Sequence, residues 1–459
     1  MNIASLLLNF WWLLVLIGVM ILVHELGHFW AARMFDVRVD VFSIGFGPRL
    51  FGFKRGDTDY RFSAILFGGY VKFMGDQPGD PGTDDPRALL RKPRWQRLIV
   101  AAAGPFMNVV LAVAVLTGLY MVSYDRVVDN GGAVVGHVMP GSPAAKAGIR
   151  EGDKIVRLNG QDNPDWEDIL LKELGGVGRP LTVTLERNGH SISTTVTPVF
   201  DERQGGGSAG WEGQNKVQVG AVTPGAPAAT AGLKIGDLLL KVNGTPIHSR
   251  FTLSDVIRKS NGSPVTIEFS RNGVLHNVTM KPVYQTLDGS KRWMIGLASD
   301  VKLDIQKTRL PFPEALRQSI STNAKYATLI VEMLRGIIER RVPANNLQGP
   351  IGIAHEATQA AAEGPVAFLA LMSLVSLNLA IFNLLPIPIL DGAMILTLII
   401  EMVMGRDLSL NVKETALKIG FVFLMMVVVF VLYNDIARRI TPGILVGPAS
   451  PASSLIQRR

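Results

Sequence analysis

Residues 24–28 read His-Glu-Leu-Gly-His, and their side chains could bind a metal ion and activate water. On an α-helix, His24 and His28 lie one turn apart on the same face, where both imidazoles can bind one Zn²⁺ while Glu25 acts as general base. This pattern also occurs by chance, but here it lies inside an apolar run that begins at Ile3 and carries no charged residue before Glu25. Ionisable side chains in a membrane-length segment are costly and usually functional. The alternative is that these polar groups only join helices.

A catalytic zinc site needs a third protein ligand, because such sites usually have three and keep the fourth position for water. The candidate is Asp391, which follows an uncharged stretch in a second apolar segment. At about 1.5 Å per helical residue, the histidines and Asp391 should approach the same side of a membrane. Pro386 and Pro388 break the helix before Asp391, and irregular backbone at membrane depth often lines a wet cavity. Alternatively, Asp391 caps the helix that follows it.

Composition limits the class of protein. The chain has 459 residues, 48% of them hydrophobic, a formal net charge of +8 and no cysteine. It is long enough for a membrane body with soluble domains, and the metal ligands must be histidines and carboxylates. The basic residues lie beside apolar spans without interleaved aromatics, so we expect membrane lipid as a partner and no nucleic acid.

Four uncharged runs predict membrane spans, and the first lacks the features of a removable signal peptide, so we expect it to stay in the mature protein. The loop after the first span is rich in Lys and Arg and should be cytoplasmic, which puts the segment between the second and third spans outside. Arg438 and Arg439 favour the opposite orientation, but they are fewer. The predicted transmembrane segments are 1–35, 97–123, 364–404 and 416–437, with a cytoplasmic loop at 36–96.

The outer segment contains an internal repeat. Pro140–Asp153 recurs about 84 residues later as Pro224–Asp237, and each copy continues into an Asn-Gly turn. The pattern of strand, Gly/Pro turn, short Ala-rich helix and strand resembles tandem PDZ domains, which bind extended peptides as an added strand. We predict PDZ-like α+β domains at 127–200 and 214–285, and a linker at 201–213. Residues 311–342 read as an amphipathic helix on the outer membrane surface.

Residues 60–67 alternate between polar and apolar side chains and precede Gly68 and Gly69, which predicts strands within the cytoplasmic loop. Such a membrane-associated β-hairpin could hold an unwound substrate by strand addition. The alternative is a hairpin that only packs on the spans.

Together these motifs resemble the site-2 protease family of intramembrane zinc metalloproteases, and most closely the bacterial sigma-E regulator protease branch. The resemblance is carried, in the same order along most of the chain, by HELGH, Gly104-Pro105-Phe-Met-Asn108, the tandem repeats, Gly349-Pro350-Ile-Gly-Ile-Ala354 and NLLPIPILDG. It implies Zn²⁺ bound by His24, His28 and Asp391, with Glu25 as general base. It also implies substrate contacts from Asn108, Asn383, Pro386 and Pro388. For the asparagines the alternative is hydrogen bonding between helices.

The implied substrates are single-span membrane proteins whose outer domain has already been trimmed, of the anti-sigma factor type, or signal-peptide remnants. One departure is Ala393-Met394, where close relatives of the family usually continue Gly-His. The predicted fold is thus a polytopic α-helical membrane protein with about four transmembrane helices, a membrane-associated β-hairpin and two exported PDZ-like domains. We expect it in the bacterial inner membrane, with the repeats on the periplasmic side. Rival interpretations are a divalent-metal transporter and a catalytically inactive PDZ scaffold.

Overall fold

The computed structural model of the protein describes residues 3–76, 82–127, 132–202, 204–287, 290–302, 304–346 and 348–440. A strand-rich segment is inserted between the second and third long helices of a helical body. The α-helices are α1 (Ile3–Met34), α2 (Arg94–Val122), α3 (Pro143–Lys146), α4 (Trp166–Gly175), α5 (Pro227–Thr230), α6 (Arg250–Lys259), α7 (Phe312–Ile338), α8 (Pro350–Glu363), α9 (Pro365–Asn383), α10 (Asp391–Met404) and α11 (Leu410–Ile440).

The strands fall into a long hairpin, a closing ribbon and two repeated units. They are β1 (Val39–Arg55), β2 (Thr58–Phe73), β3 (Tyr124–Val127), β4 (Val135–Val138), β5 (Lys154–Leu158), β6 (Gln161–Asp162), β7 (Leu181–Arg187), β8 (His190–Val196), β9 (Val199–Asp201), β10 (Gly206–Ser208), β11 (Trp211–Gly213), β12 (Lys216–Val222), β13 (Leu238–Val242), β14 (Thr245–Pro246), β15 (Val265–Arg271), β16 (Val274–Met280), β17 (Val283–Leu287), β18 (Ser290–Met294), β19 (Leu297–Lys302) and β20 (Ile305–Thr308).

Four helices of the described chain are long and apolar enough to cross a membrane, which confirms the predicted number of spans. They are Leu7–Met34, Arg94–Val122, Pro365–Asn383 and Leu410–Ala437. The fourth helix begins at Leu410, earlier than the predicted start at residue 416. The added turn includes Lys413, whose charge is paired because its Nζ lies 2.6 Å from a carboxylate oxygen of buried Glu401. The predicted third segment, 364–404, consists of two helices, α9 and α10, separated by residues 384–390.

Small residues let the first three spans approach closely. Gly27 of α1 faces the backbone of Ala103 in α2, where a Cβ would overlap the carbonyl. Between α9 and α2, the hydroxyls of Ser373 and Ser376 each donate a 2.9 Å hydrogen bond to a backbone carbonyl. Gly and Ser are typical of helix contacts within membranes, where close approach replaces the hydrophobic driving force.

Strands β1 and β2 form the predicted antiparallel hairpin, with Val39 opposite Phe73 and Arg55 opposite Thr58. The hairpin packs against α1 at Gly69, where an added Cβ would lie 3.2 Å from Cγ2 of Ile21. Near its turn, the hairpin exposes the large apolar side chains of Leu50, Phe51 and Phe53. Residues 39–73 therefore fold into a hairpin that contacts the first span at one end and exposes apolar side chains at the other.

The sequence repeat corresponds to a structural repeat. The first repeat, residues 132–213, contains the sheet β6-β5-β7-β8 and the pair β11-β4; the second, residues 216–302, contains the sheet β16-β15-β13-β12-β19. The same ion pair holds each sheet to its preceding loop: Arg187 Nε lies 2.6 Å from Asp153, and Arg271 Nη2 lies 2.7 Å from Asp237. Each arginine also donates to a glycine carbonyl in that loop.

The predicted boundaries of the repeats need correction. Residues 206–208 and 211–213 form strands of the first repeat, and β11 pairs with β4, so this part of the predicted linker at 201–213 belongs to the fold. Its glycines allow turns and close contacts: Gly213 lies against the indole of Trp166. The second repeat extends past 285, because β19 pairs with β12 as the edge strand of its sheet.

Both ends of the insertion meet in a short ribbon. Strand β3, which follows α2, pairs antiparallel with β20, and Val127 lies opposite Ile305. The next helix, α7, covers most of the predicted 311–342 segment and packs on α2, where Thr117 and Ser319 hydroxyls lie 2.7 Å apart. The chain thus leaves and re-enters the helical body through two adjacent strands.

Candidate active site

Helix α1 presents His24 and His28 on one face, and both are buried. Their Nε2 atoms lie 3.2 Å apart, with the rings nearly perpendicular. The spacing of four residues places the rings one turn apart, as the sequence predicts. Facing them on α2 is Gly104, where a Cβ would overlap the imidazole of His28 and lie 2.7 Å from Nε2 of His24. Only glycine leaves room for both rings at this position.

Asp391 meets the histidines because the chain turns sharply before α10. One carboxylate oxygen lies 3.1 Å from Nε2 of His24, and the other lies 3.5 Å from Nε2 of His28. The turn contains Ile389 at φ +88°, a conformation that is strained for a β-branched residue. Gly392 completes it, because a Cβ there would overlap the carbonyl oxygens of Leu384 and Leu385. Backbone strain of this kind is concentrated at functional sites.

The three side chains fit a metal ion. One ligand atom from each of His24, His28 and Asp391 lies within 4.8 Å of the others. In a tetrahedral zinc site with bonds of about 2.1 Å, ligand atoms are about 3.4 Å apart, close to the separations observed. Two imidazoles and one carboxylate leave the fourth position for water, as in catalytic sites.

The outer nitrogens of both rings also have partners. Nδ1 of His28 donates a 2.8 Å hydrogen bond to the carbonyl of Val100, which leaves Nε2 free to bind a metal. Nδ1 of His24 lies 3.2 Å from the amide nitrogen of Asn108, whose side chain is fully buried. The amide oxygen of Asn108 has no hydrogen-bond partner. Rotation of the amide by half a turn would point this oxygen at Nδ1–H of His24, the tautomer that binds a metal through Nε2.

Glu25 lies beside the metal ligands and against the hairpin. Its carboxylate interacts electrostatically with both imidazoles and with Asp391, and it accepts a hydrogen bond from the N–H of Val71 in β2. A Cβ at Gly69 would lie 3.2 Å from Cγ of Glu25. The hairpin therefore fixes the position of this glutamate, a contact that the motif itself does not indicate.

The predicted substrate contacts fall in two places. Asn383, Pro386 and Pro388 lie at the end of α9 and in the turn before Asp391, and each is at least partly exposed. Pro388 also packs on α11 at Gly420, where a Cβ would overlap its ring. Asn108 differs, because it is fully buried beside His24 and has no surface open to a substrate. Substrate contact by Asn108 stays a prediction, and its burial favours the alternative of a hydrogen bond within the helical body.

Sequence comparisons agree with this geometry. The sequence profile described as Peptidase family M50 matches residues 12–427, which is most of the chain. The chain belongs to peptidase family M50. The predictions of a metalloprotease and of zinc as its cofactor are confirmed by this membership and by the names of curated relatives.

Relatives of this M50 protease match along nearly their whole length. A "Putative zinc metalloprotease" of Vibrio cholerae is 30% identical over 454 residues, which cover 95% of this chain and 100% of the relative. The "Regulator of sigma-E protease RseP" of Escherichia coli K12 is 32% identical over 457 residues, which cover 94% of this chain and 100% of the relative. A second "Putative zinc metalloprotease", from Neisseria meningitidis, is 31% identical over 439 residues, which cover 92% of this chain and 97% of the relative.

Proposed function

We propose that this protein is an intramembrane zinc metalloprotease that cleaves single-span membrane proteins after their outer domain has been trimmed. The observation that carries the proposal is the convergence of His24, His28 and Asp391, which come from two separate apolar segments, on one point. Relatives named as regulators of sigma-E protease favour substrates of the anti-sigma factor type, with signal-peptide remnants as the other class.

His24, His28 and Asp391 would hold Zn²⁺, which would act as a Lewis acid toward the scissile carbonyl and the attacking water. Glu25 accepts the proton of the attacking water and passes it to the nitrogen of the leaving amine. The Val71 N–H and the backbone at Gly69 hold the Glu25 carboxylate beside the histidines. Val100 and Asn108 hold the two imidazoles through their outer nitrogens, so that each Nε2 faces the other ligand atoms of the cluster.

A helical substrate must unwind locally, because its peptide carbonyls are otherwise occupied by their own hydrogen bonds. We infer that the turn at Asn383, Pro386 and Pro388 and the edge of the β1–β2 hairpin bind the unwound segment. Both lie next to the ligand cluster, and neither proline can donate the backbone hydrogen bond that would continue a regular helix through the turn. Exposed apolar side chains near the hairpin turn support its association with the membrane.

We further propose that the protein lies in a bacterial inner membrane with its repeats on the periplasmic side, as PDZ-like modules. Lys and Arg crowd the segment between the first two spans, which supports a cytoplasmic position for that segment. The repeats then stand outside and could exclude substrates with bulky outer domains.

The test of the protease uses purified protein in detergent with zinc and a model single-span substrate. We expect Glu25→Gln to retain zinc and lose about 10²–10⁴-fold in cleavage rate, the usual contribution of a general base. Asp391→Ala should lose both zinc and cleavage. Glu356→Gln is a matched control, because Glu356 is a partly buried carboxylate on α8 outside the cluster. Cleavage by Glu25→Gln at the parent rate would refute the assigned mechanism.

The test of size exclusion uses the ribbon that closes the insertion. Because Val127 lies opposite Ile305, residues 128–304 can be replaced by an Asn-Gly turn that joins β3 to β20 as a hairpin. We expect this variant to cut substrates with intact outer domains, which the parent leaves uncut. If both proteins reject untrimmed substrates while cutting trimmed ones, the repeats are not a size filter.

A further inference from the structure

The two repeats build the same turn in front of their last strand. Gly210 in the first and Gly296 in the second both adopt a left-handed conformation, with φ of 77° and 70°. Their carbonyls accept hydrogen bonds from equivalent residues, Met139 and Thr223. Helices α4 and α6 lie at the repeat spacing of about 84 residues, so position 173 of α4 corresponds to position 257 of α6.

In the first repeat this turn binds a carboxylate that belongs to the chain itself. One oxygen of Glu173 accepts a hydrogen bond from the backbone N–H of Ala209, and the other accepts a 3.0 Å bond from Nε1 of Trp211. Glu173 is only 5% exposed, and burial raises its pKa to about 7. One backbone N–H and one indole N–H thus hold this carboxylate, and backbone N–H groups of such turns are also what captures the C-terminal carboxylate of a peptide.

The second repeat differs at these positions. It carries Ile257 in place of Glu173, and an isoleucine side chain cannot accept hydrogen bonds from the turn at Ile295. Its edge strand β19 has six residues and pairs only with β12 among the described strands. In the first repeat the corresponding strand, β11, has three residues, and the indole of Trp166 lies against it at Gly213.

We propose that Glu173 is a built-in ligand of the first repeat, which occupies the turn where the terminal carboxylate of an extended peptide would otherwise bind. The first repeat is therefore closed to peptide C-termini, and replacing Glu173 with the isoleucine of the second repeat opens it. This inference depends on the proposed PDZ-like character of the repeats. It does not depend on the protease chemistry, whose residues lie in the helical body.

The experiment uses the full-length protein in detergent and a photo-crosslinking hexapeptide that ends in leucine, with either a free or an amidated C-terminus. Cross-links are mapped to α4 and β11 or to α6 and β19. In the parent we expect no cross-link in the first repeat. In Glu173→Ile we expect the free acid to bind there at least about tenfold more tightly than the amide. The reason is that the amidated C-terminus lacks the negative charge that strengthens hydrogen bonds from the N–H donors of the turn.

Near-ultraviolet circular dichroism verifies folding, and Glu173→Ala serves as a second variant with a smaller side chain. The proposal is overturned if the parent is cross-linked at α4 and β11, or if both folded variants bind the free acid no better than the amide. Cleavage of a trimmed substrate is measured on the same samples. Because that assay reports the catalytic site alone, a failure of the protease proposal is seen separately from a failure of this one.

Discussion

Asn108 offers the sharpest test of the metal centre, because its side chain is fully buried and touches only one outer nitrogen of the ligand set. If its amide oxygen accepts the Nδ1–H of His24, it fixes both the tautomer and the ring orientation needed for metal binding through Nε2. Replacing it with leucine, which has a similar size, removes this acceptor and leaves Nδ1–H buried without a partner.

The expected magnitude follows from the cost of that unpaired donor, about 1–3 kcal/mol. At about 1.4 kcal/mol per tenfold change, Asn108→Leu should weaken zinc binding by roughly 10–100-fold. Asn108→Asp keeps an acceptor at the same position and should bind zinc at least about as tightly as the parent. The aspartate would form a carboxylate–histidine–zinc arrangement, which is common in zinc proteins.

Zinc affinity is measured by competition with a chromogenic chelator in detergent, without any measurement of cleavage. Ser376→Ala is the matched control: its hydroxyl donates to the backbone carbonyl of Asn108 and does not touch the amide. The reasoning is refuted if Asn108→Leu binds zinc within twofold of the parent. Equal weakening by Ser376→Ala and Asn108→Leu would also refute it, because helix packing would then explain both.

Three further predictions concern the glycines at the site and the buried glutamate. Gly104→Ala should lose zinc, because its Cβ would overlap the imidazoles, whereas Gly118→Ala on the same helix has open space and should keep the parent zinc content. Gly69→Ala should keep zinc and lower the cleavage rate at saturating substrate, because its Cβ would overlap the carbonyl oxygen of Ser43 and press on Glu25; unchanged turnover would contradict this role of the hairpin. The third follows from the pKa of Glu173, which burial raises to about 7. The folded first repeat holds this proton up to about pH 7, while an unfolded glutamate releases it near pH 4.5, so stability is greatest at low pH and decreases as the pH rises through 7. The change is on the order of 3 kcal/mol, and it should be seen as a falling protection of the Ala209 amide against hydrogen exchange; a flat profile would count against the assignment.

The sequence predicts those parts of the site that depend on local spacing. Four residues separate His24 from His28, so any helix brings their rings together, and the four apolar runs identify the spans by length alone. Asp391 was predicted from its motif and approximate depth. The distance of its carboxylate from the two histidines depends on the turn before α10. In that turn Ile389 has a positive φ, and Gly392 packs closely against the carbonyls of Leu384 and Leu385. No periodicity in the sequence indicates that geometry.

Contacts between distant segments could not be predicted in the same way. The Val100 carbonyl that accepts from His28 has no side-chain signature, and Gly69 reaches Glu25 only because the hairpin folds onto α1. Asn108 is a candidate substrate contact by its motif, but its burial beside His24 favours the alternative of a hydrogen bond between helices. A side chain within an apolar helix can face a substrate or another helix, and only the packing of α1 on α2 decides between them.

The repeats show how far sequence similarity between the two copies can mislead. The segments Pro140–Asp153 and Pro224–Asp237 share nine of their 14 residues, and each preserves the ion pair between its aspartate and an arginine. These shared residues maintain the fold, so they say little about binding. The difference lies at the helix position occupied by Glu173 in one copy and Ile257 in the other, outside the repeated motif. A buried carboxylate is costly unless donors surround it, and the donors available to Glu173 belong to the very turn that would bind a peptide. If these repeats are PDZ-like, as we propose, the first copy gains internal hydrogen bonds at the same place where it loses a binding site, and duplication of the fold does not imply duplication of its function.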